Sequence, residues 1–260
     1  MPSALFLSPH LDDVAFSCGG IARRLADAGW QTVLCTIFTR SMPNPQGFAL
    51  ACQLDKGLTP EIDYMALRRA EDDAAAKALR AVEVEWLGLP EAPHRGYHSA
   101  PALFGEQVAA DDATDAVEAA LAPRLAAGHD LVFAPQGLGD HIDHRHVRDA
   151  VARLAAAHGR SERVAWYRDT PYAIRHPGAA PRFGTLPPDA EIAVPIDGAP
   201  LAAKLDSCAA YASQIGFQFG GEAAMREALS RFAAAEAERL NAKGAAEVIR
   251  GAPYVARLLG

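Results

Sequence analysis

The sequence contains little cysteine and no long apolar segment. Its 260 residues include four cysteines, none of them in a C-x-x-C pair, so we predict no disulfide scaffold and favour a reducing, cytoplasmic compartment. The longest apolar runs are only as long as β-strands, whereas a transmembrane helix needs roughly 20 apolar residues. The first residues show no basic stretch followed by an apolar one, and we therefore expect no secretory signal.

The sequence also lacks an excess of positive charge. It has 25 basic residues against 32 acidic ones, which gives a net charge of −7. This balance argues against binding to nucleic acid or to an anionic membrane, since nucleic-acid binders normally show a basic patch. With 50% apolar and 22% charged residues, the composition is that of a globular protein and not of a disordered or fibrous chain.

Short apolar stretches alternate along the chain with longer, alanine-rich amphipathic stretches. We predict strands at residues 4–8, 32–39, 82–88, 130–134, 163–167 and 191–194. We predict helices at residues 18–28, 63–81, 112–127, 144–158, 199–212 and 222–243. Strands that alternate with helices indicate βαβ units. The expected fold is therefore α/β: a single Rossmann-like domain over residues 1–260, with a mostly parallel sheet and helices on both of its faces.

Three of the predicted connections are unusually long, at residues 40–62, 90–111 and 168–190. Connections of this length in a compact domain are usually functional. Ligands of open parallel sheets bind outside the carboxyl ends of the strands. We therefore expect these three connections to wall a substrate pocket at that edge of the sheet.

Histidine and aspartate follow two of the predicted strands. The first strand leads into PHLDD at residues 9–13, and the fourth is followed by HIDH at residues 141–144. Each motif alone could be an ordinary helix start, with an aspartate as the cap or the histidines facing solvent. Together at one edge of a parallel sheet they favour a metal site. Imidazole and carboxylate groups are ligands of first-row divalent metals, with zinc the leading candidate.

The two motifs, together with GG at residues 19–20, resemble the PIG-L (LmbE-like) family of zinc-dependent N-deacetylases. That family has P-H-x-D-D-x-x-x-x-x-G-G near the N-terminus and H-x-D-H in the middle of the chain. Weaker matches are RRAE at residues 68–71, before WLG at residues 86–88, and YASQ at residues 211–214, after Lys204. The resemblance covers roughly residues 4 to 215.

The resemblance implies a role for each residue of the two motifs. His10, Asp13 and His144 would be the zinc ligands, and Asp12 would be the general base. Three protein ligands are typical of a catalytic zinc site, whereas a structural site has four. A carboxylate beside the metal can take a proton from water, which is consistent with the role implied for Asp12.

The resemblance further implies that His141 assists the reaction as an electrophile or acid. Asp143 would orient and tune the imidazole of His141, as a neighbouring carboxylate commonly does. The loop before His141 has no tyrosine, although some relatives use one there to bind the oxyanion. Tyr167 or Tyr172 could supply the hydroxyl from another loop. Position 91 is Glu91, where many relatives have aspartate.

Three residues are candidates for substrate contacts: Arg68, Arg95 and Tyr172. Arg68 could reach a substrate hydroxyl or phosphate, but it could equally pair with Asp72 one helical turn later. Arg95 lies in HRGYH at residues 94–98, which could form a lip of the pocket or an ordinary polar loop.

The resemblance implies a zinc-dependent hydrolase that removes an N-acyl group, in the first place acetyl, from a small molecule such as an N-acetylated amino sugar or its conjugate. One alternative is hydrolysis of another amide in a secondary-metabolite or antibiotic-type intermediate. A second alternative is a non-catalytic, Rossmann-like ligand-binding module whose histidines are structural. The sequence leaves self-association into a homo-oligomer open.

Overall fold

The computed structural model describes residues 1–178, 180–184 and 189–260. Within these residues, seven strands form one sheet and eleven α-helices surround it. The strands are β1 (Ser3–Ser8), β2 (Gln31–Thr36), β3 (Glu83–Trp86), β4 (Leu131–Pro135), β5 (Val164–Tyr167), β6 (Ala190–Pro195) and β7 (Ala246–Gly251). The helices are α1 (Asp13–Asp27), α2 (Gly47–Leu54), α3 (Tyr64–Leu79), α4 (Ala100–Leu103), α5 (Ala113–Ala127), α6 (Ile142–Ala157), α7 (Tyr172–Arg175), α8 (Ala199–Ala209), α9 (Ala212–Phe219), α10 (Glu222–Arg239) and α11 (Pro253–Leu259). None of the helices in the described ranges is both long and apolar enough to cross a membrane.

The sheet has the strand order β3-β2-β1-β4-β5-β7-β6. Only β7 runs against its neighbours, because it pairs antiparallel with both β5 and β6. The prediction of an α/β fold with a mostly parallel sheet is confirmed. The chain winds outward from β1 to β3 and then returns to β4 on the other side of β1. The carboxyl ends of β1 and β4 thus flank the switch point, where doubly wound folds bind their ligands.

The sheet is covered on both faces, as parallel sheets generally are. Phe6 of β1 packs on one face with Ile21 of α1 and Leu79 of α3. The alternate residues Leu5 and Leu7 pack on the other face, against helices α5 and α6. Because successive side chains of β1 point to opposite faces of the sheet, this one strand contributes to the hydrophobic core on each face.

Several element boundaries differ from the prediction where tertiary contacts decide them. Helix α1 starts at Asp13, five residues before the predicted start, and Cys18 interrupts it with φ −143° and ψ 24°. The predicted helix 199–212 is two helices, α8 and α9. Each of the three long connections contains a short helix, α2, α4 or α7.

Strand β7 was not predicted, and its charged residue Glu247 shows why. This side chain is only 4% exposed, although a glutamate in a short apolar run argues against a buried strand. Its carboxylate accepts the backbone N–H groups of Gly20 and Ile21 at 3.0 and 2.7 Å. It also pairs with Lys204 at 2.6 Å. Glu247 therefore satisfies the donors that the break at Cys18 leaves without helical partners.

The close contact of Gly20 with Ile196 yields a stability prediction. A methyl group at Gly20 would lie 2.9 Å from two side-chain atoms of Ile196, which is fully buried. We expect Gly20→Ala to lower the free energy of unfolding by about 1–3 kcal/mol through overpacking. In Gly216→Ala the methyl group meets no described atom within 4 Å outside its own helix, so we expect a gain of about 0.5–1 kcal/mol. Urea unfolding of both variants tests this, and equal effects would contradict the packing argument.

Candidate metal centre

The first motif is held in place by hydrogen bonds that follow directly from the end of β1. Ser8 donates its hydroxyl to the carbonyl of His10 at 2.6 Å and accepts the N–H of Val14. The carboxylate of Asp13 accepts the N–H of His10 at 2.7 Å. Asp12, which lies between His10 and Asp13 in the chain, has φ 153°, a conformation that residues other than glycine rarely adopt. The turn is thus fixed by its own polar groups at a cost in backbone strain.

The predicted ligands His10, Asp13 and His144 converge on one point. The Oδ2 atom of Asp13 lies 3.3 Å from Nδ1 of His10 and 3.3 Å from Nε2 of His144. Ligand atoms about 2.0–2.1 Å from a tetrahedral zinc are separated by about 3.3–3.4 Å. Nε2 of His144 is buried and has no hydrogen-bond partner among the described residues. The donor atoms and their spacing fit a zinc ion.

Each of the two histidines is oriented by a further carboxylate. Nε2 of His10 bonds to Oδ2 of Asp143 at 2.9 Å, so that the other ring nitrogen, Nδ1, faces Asp13. Nδ1 of His144 bonds to Oδ1 of Asp169 at 2.7 Å, which leaves Nε2 free. Carboxylate partners of this kind set the tautomer and raise the basicity of metal-binding imidazoles.

The expected pairing of Asp143 with His141 is therefore corrected. The carboxylate of Asp143 binds His10, and His141 receives only the backbone N–H of Asp143, at 3.2 Å. Asp169 was not among the candidates from sequence. It follows β5 at the same edge of the sheet, so its position just after a predicted strand was the available signal.

The three converging groups are strongly coupled through their charges. Burial alone would raise the pKa of Asp13, but His144 and His10 lower it to about 2. Burial would lower the pKa values of both histidines, yet the carboxylates around them raise both above the ordinary value. In the absence of metal, positive charge on the imidazoles compensates Asp13. A metal ion would take over that role and displace their protons.

Asp12 lies beside the converging ligands but has a different environment. Burial raises its pKa to about 7, although Arg68 partly opposes this shift. A guanidinium nitrogen of Arg68 lies 3.6 Å from Oδ2 of Asp12. A nearby cation would favour the ionised carboxylate further.

Arg68 lines the pocket over these ligands, and its contact with substrate stays a prediction. Its guanidinium binds Glu91 at 2.7 Å and the carbonyl of Leu11 at 3.0 Å. The alternative pairing of Arg68 with Asp72 is wrong. Asp72 instead accepts hydrogen bonds from three other side chains, those of Thr36, Trp86 and Tyr211.

His141 caps the start of α6 and stands next to the ligands. Its Nδ1 accepts the N–H of Asp143, so in the neutral ring the proton is on Nε2. Burial and the neighbouring His10 lower its pKa well below the ordinary value. Nitrogen atoms of His10, His141 and His144 lie within 4.8 Å of one another. His141 is thus a neutral imidazole beside the converging ligands, and its assignment as a non-ligand stays a prediction.

Arg95 does not line the pocket, and its predicted contact with substrate is corrected. Its guanidinium binds Asp143 at 2.6 Å and Asp111 at 3.0 and 3.2 Å. It also donates to the carbonyl of Pro90 at 2.6 Å and lies over the ring of Phe38. The donors of Arg95 are thus engaged within the protein. Arg95 fixes the position of Asp143 without lining the pocket itself.

Of the two candidate tyrosines, only Tyr172 faces the pocket. The hydroxyl of Tyr167 is fully buried and donates to the carbonyl of Leu7 at 2.9 Å, so it cannot reach substrate. The ring of Tyr172 lies edge-on to His144, with centroids 5.6 Å apart. A Cβ atom at Gly139 would lie 2.5 Å from that ring. Glycine at position 139 thus leaves room for the ring of Tyr172.

A pocket with a volume of about 130 Å³ opens over the candidate metal centre. All three long connections contribute to its walls, as predicted. The contributing residues are Cys52, Lys56, Glu91, Pro93, Leu103, Pro171 and Tyr172. Residues 179 and 185–188 of the third connection lie outside the described residues. Gln214 and Gln218 of α9 also line the pocket and were not predicted to do so.

Comparison with known proteins identifies relatives by sequence similarity. Residues 5–155 match the profile of the family described as "PIG-L: GlcNAc-PI de-N-acetylase". The 2'-N-acetylparomamine deacetylase of Streptomyces fradiae is 36% identical over 171 residues, which are 65% of this chain and 57% of that protein. The protein of the same name from Niallia circulans is 29% identical over 193 residues, 66% of this chain and 68% of that protein. The matched region thus spans less than two-thirds of the first relative.

Solved structures share the fold at low sequence identity. The zinc-inhibited form of teicoplanin deacetylase Orf2 has a TM-score of 0.80 at 22% identity, covering 95% of this chain and 97% of that one. The A40926 pseudoaglycone deacetylase Dbv21 has a TM-score of 0.78 at 24% identity, covering 95% and 96%. The N,N'-diacetylchitobiose deacetylase of Pyrococcus horikoshii has a TM-score of 0.62 at 17% identity, covering 97% and 84%.

The converging ligands and their carboxylate partners predict a graded loss of metal affinity. We expect His144→Ala to lose stoichiometric zinc and Asp169→Asn to bind zinc about 10–100-fold more weakly, because the imidazole loses its orienting partner. Asp149→Asn is the control, since this carboxylate is on the same helix as His144 but 44% exposed and paired with Arg148. Competition with a chromophoric chelator on metal-stripped protein measures all three affinities. Full zinc occupancy in His144→Ala would overturn the ligand assignment.

Proposed function

Because the chain belongs to the PIG-L family, we propose that it is a zinc-dependent N-deacetylase acting on an N-acetylated amino sugar or a conjugate of one. The observation that carries this proposal is the position of the Asp13 carboxylate, 3.3 Å from both His10 and His144. Two further groups suited to proton transfer and carbonyl polarisation, Asp12 and His141, line the same pocket. A ligand-binding module with structural histidines would not need that combination.

A zinc ion held by His10, Asp13 and His144 would lower the pKa of water and polarise the amide carbonyl of the substrate. Asp12 takes the proton from the attacking water and later delivers it to the leaving amine. Its carboxylate is suited to this exchange because it lines the pocket beside the three proposed ligands, and a nearby cation would keep it ionised, as a base requires.

His141 donates a hydrogen bond to the carbonyl oxygen as negative charge develops there. The N–H of Asp143 occupies Nδ1, so Nε2 carries the proton that points to substrate. Because its pKa is lowered well below the ordinary value, the ring acts as a neutral electrophile. Tyr172 is the second candidate donor, since burial raises the pKa of its hydroxyl and thereby keeps it protonated. Preorganised donors of this kind stabilise an oxyanion strongly.

The remaining pocket residues suit a hydroxylated substrate. The lining includes polar side chains with both hydrogen-bond donors and acceptors: Lys56, Arg68, Glu91, Gln214 and Gln218. Two relatives are named as deacetylases of 2'-N-acetylparomamine, so we propose an aminoglycoside-type intermediate as the first substrate to test. The structural neighbours named for teicoplanin and A40926 make an amide in another antibiotic-type intermediate the second candidate.

Removing the basicity of Asp12 should separate catalysis from metal binding. In Asp12→Asn we expect unchanged zinc content and a fall in kcat of about 10²–10⁴, the usual worth of a positioned general base. Asp73→Asn, an exposed carboxylate on α3, is the matched control. Release of free amine from 2'-N-acetylparomamine and N-acetylglucosamine measures turnover. Activity of Asp12→Asn within about threefold of the parent would assign the base elsewhere.

Replacing His141 tests whether it is a catalytic group or a ligand. We expect His141→Ala to keep one zinc per chain and to lose about 10²–10⁴ in kcat, because a proton donor to the carbonyl oxygen is missing. His98→Ala serves as the control, since His98 is exposed. Metal analysis and the amine-release assay are run on the same preparations. Loss of zinc from His141→Ala would make it a ligand.

A further inference from the structure

We propose that Arg95 and Asp111 form a clamp that sets the spacing of the candidate ligands His10 and His144, and thereby the preference of the site for a small dication. The inference rests on the metal centre of the proposed function. Neither Arg95 nor Asp111 lines the pocket. The clamp therefore acts on the metal ligands and not on substrate, and its members are positioning residues.

The first arm of the clamp reaches His10 through Asp143. Arg95 donates to Oδ1 of Asp143 at 2.6 Å, and Oδ2 of the same carboxylate bonds to Nε2 of His10 at 2.9 Å. Oδ2 also accepts the backbone N–H of Ala92 at 3.1 Å. Both oxygens of this fully buried carboxylate are thus held by fixed partners. The orientation of the imidazole of His10 therefore depends on Arg95.

The second arm reaches α6, the helix that carries His144. Asp111 accepts two hydrogen bonds from Arg95, at 3.0 and 3.2 Å. Its Oδ2 also bonds to Nε2 of His146 at 2.9 Å, and Nδ1 of that ring bonds to the hydroxyl of Thr114 on α5 at 2.7 Å. His146 is 1% exposed and lies two residues after His144. Buried polar contacts thus tie α6 to the same arginine that fixes His10.

The two arms meet at one planar group. A guanidinium presents its donors in a rigid fork, and that of Arg95 bonds to Asp143 and Asp111 at the same time. It also donates to the carbonyl of Pro90 at 2.6 Å and lies 4.9 Å from the ring centroid of Phe38. These contacts hold the plane of the guanidinium. A change at Arg95 should therefore disturb both arms together.

The spacing that the clamp maintains suits a small ion. Oδ2 of Asp13 lies 3.3 Å from the facing nitrogens of His10 and His144, as expected for ligands about 2.0–2.1 Å from zinc. The Cd²⁺ ion has the same charge but needs longer bonds, and hence a wider set of ligands. A rigid set of ligands discriminates between ions by size, whereas a flexible set adapts to either. Loosening the clamp should therefore reduce the preference for Zn²⁺ over Cd²⁺.

The test measures the Kd of Zn²⁺ and of Cd²⁺ on metal-stripped, full-length protein by competition with a chromophoric chelator. Arg95→Lys keeps the charge but loses the planar fork, and Asp111→Asn removes one charge at nearly unchanged shape. We expect both variants to bind zinc about 10–100-fold more weakly and to lower the ratio of the Cd²⁺ Kd to the Zn²⁺ Kd at least about threefold. Arg153→Lys is the control, because Arg153 is on α6 and 61% exposed. Both values should stay at the parent level in this control.

A double variant distinguishes the clamp from a general loosening of the fold. If Arg95 acts through Asp143, Arg95→Lys should weaken zinc binding at least about threefold less in Asp143→Asn than in the parent, because the first arm is already broken there. Equal effects in the two backgrounds would mean that the variant only loosens the fold, and would overturn the clamp. Urea unfolding of the same metal-stripped preparations shows which variants are folded. Asp111→Asn carries the test if Arg95→Lys does not fold.

The outcomes separate the clamp from the proposed function. An unchanged zinc Kd or an unchanged ratio in either folded variant overturns the clamp and leaves the proposed function standing. A parent that binds neither ion overturns both. Zinc binding with the expected ratios, but without release of free amine from any N-acetylated sugar tested, supports the clamp and contradicts the proposed reaction.

Discussion

The candidate metal centre depends on a single physical constraint: the buried carboxylate of Asp13 must be kept ionised between two imidazoles. Asp13 is 5% exposed and His144 is 1% exposed, so neither group can rely on water for compensation. Each must be balanced by fixed partners, because an unpaired buried charge is far more costly than a paired one. A bound dication would pair with Asp13 and leave both imidazoles neutral. The buried charges of the site are therefore compatible with a bound cation.

The balancing extends outward through further buried charges. Asp143 holds His10 and is itself held by Arg95. Arg95 in turn binds Asp111, which also accepts from His146 at 2.9 Å. Alternating signs along this chain allow several ionised groups to share a dry interior. Residues 90–111, a connection between β3 and α5, thus supply two charged residues, Arg95 and Asp111, that help to fix the orientation of a candidate metal ligand.

The sequence predicted the sheet and the proximity of His10, Asp13 and His144 because both rest on local signals. Alternation of apolar strands and amphipathic helices gives βαβ units, and HxDD and HxDH each lie in the connection that follows a strand. The rest depends on contacts between distant segments. Glu247 makes β7 look unlike a buried strand, yet its partners are residues 20 and 21, more than 200 positions away. Asp143 pairs with His10 across 133 positions instead of with His141 nearby. Asp169 reaches His144 only because β4 and β5 are neighbours in the sheet. Spacing along the chain carries none of that information.

The adjacent carboxylates Asp12 and Asp13 illustrate how environment assigns chemistry. Both are buried, and burial by itself raises both pKa values. Two histidines contact Asp13 and lower its pKa to about 2, whereas burial raises the pKa of Asp12 to about 7, opposed chiefly by Arg68 at 3.6 Å. A carboxylate that two imidazoles keep ionised suits a metal ligand, and a neighbouring carboxylate that can accept a proton suits a base. The positive φ of Asp12 belongs to the turn that leads these neighbours into different environments. The backbone strain therefore has a chemical consequence, because it gives two identical side chains two different acidities within one turn.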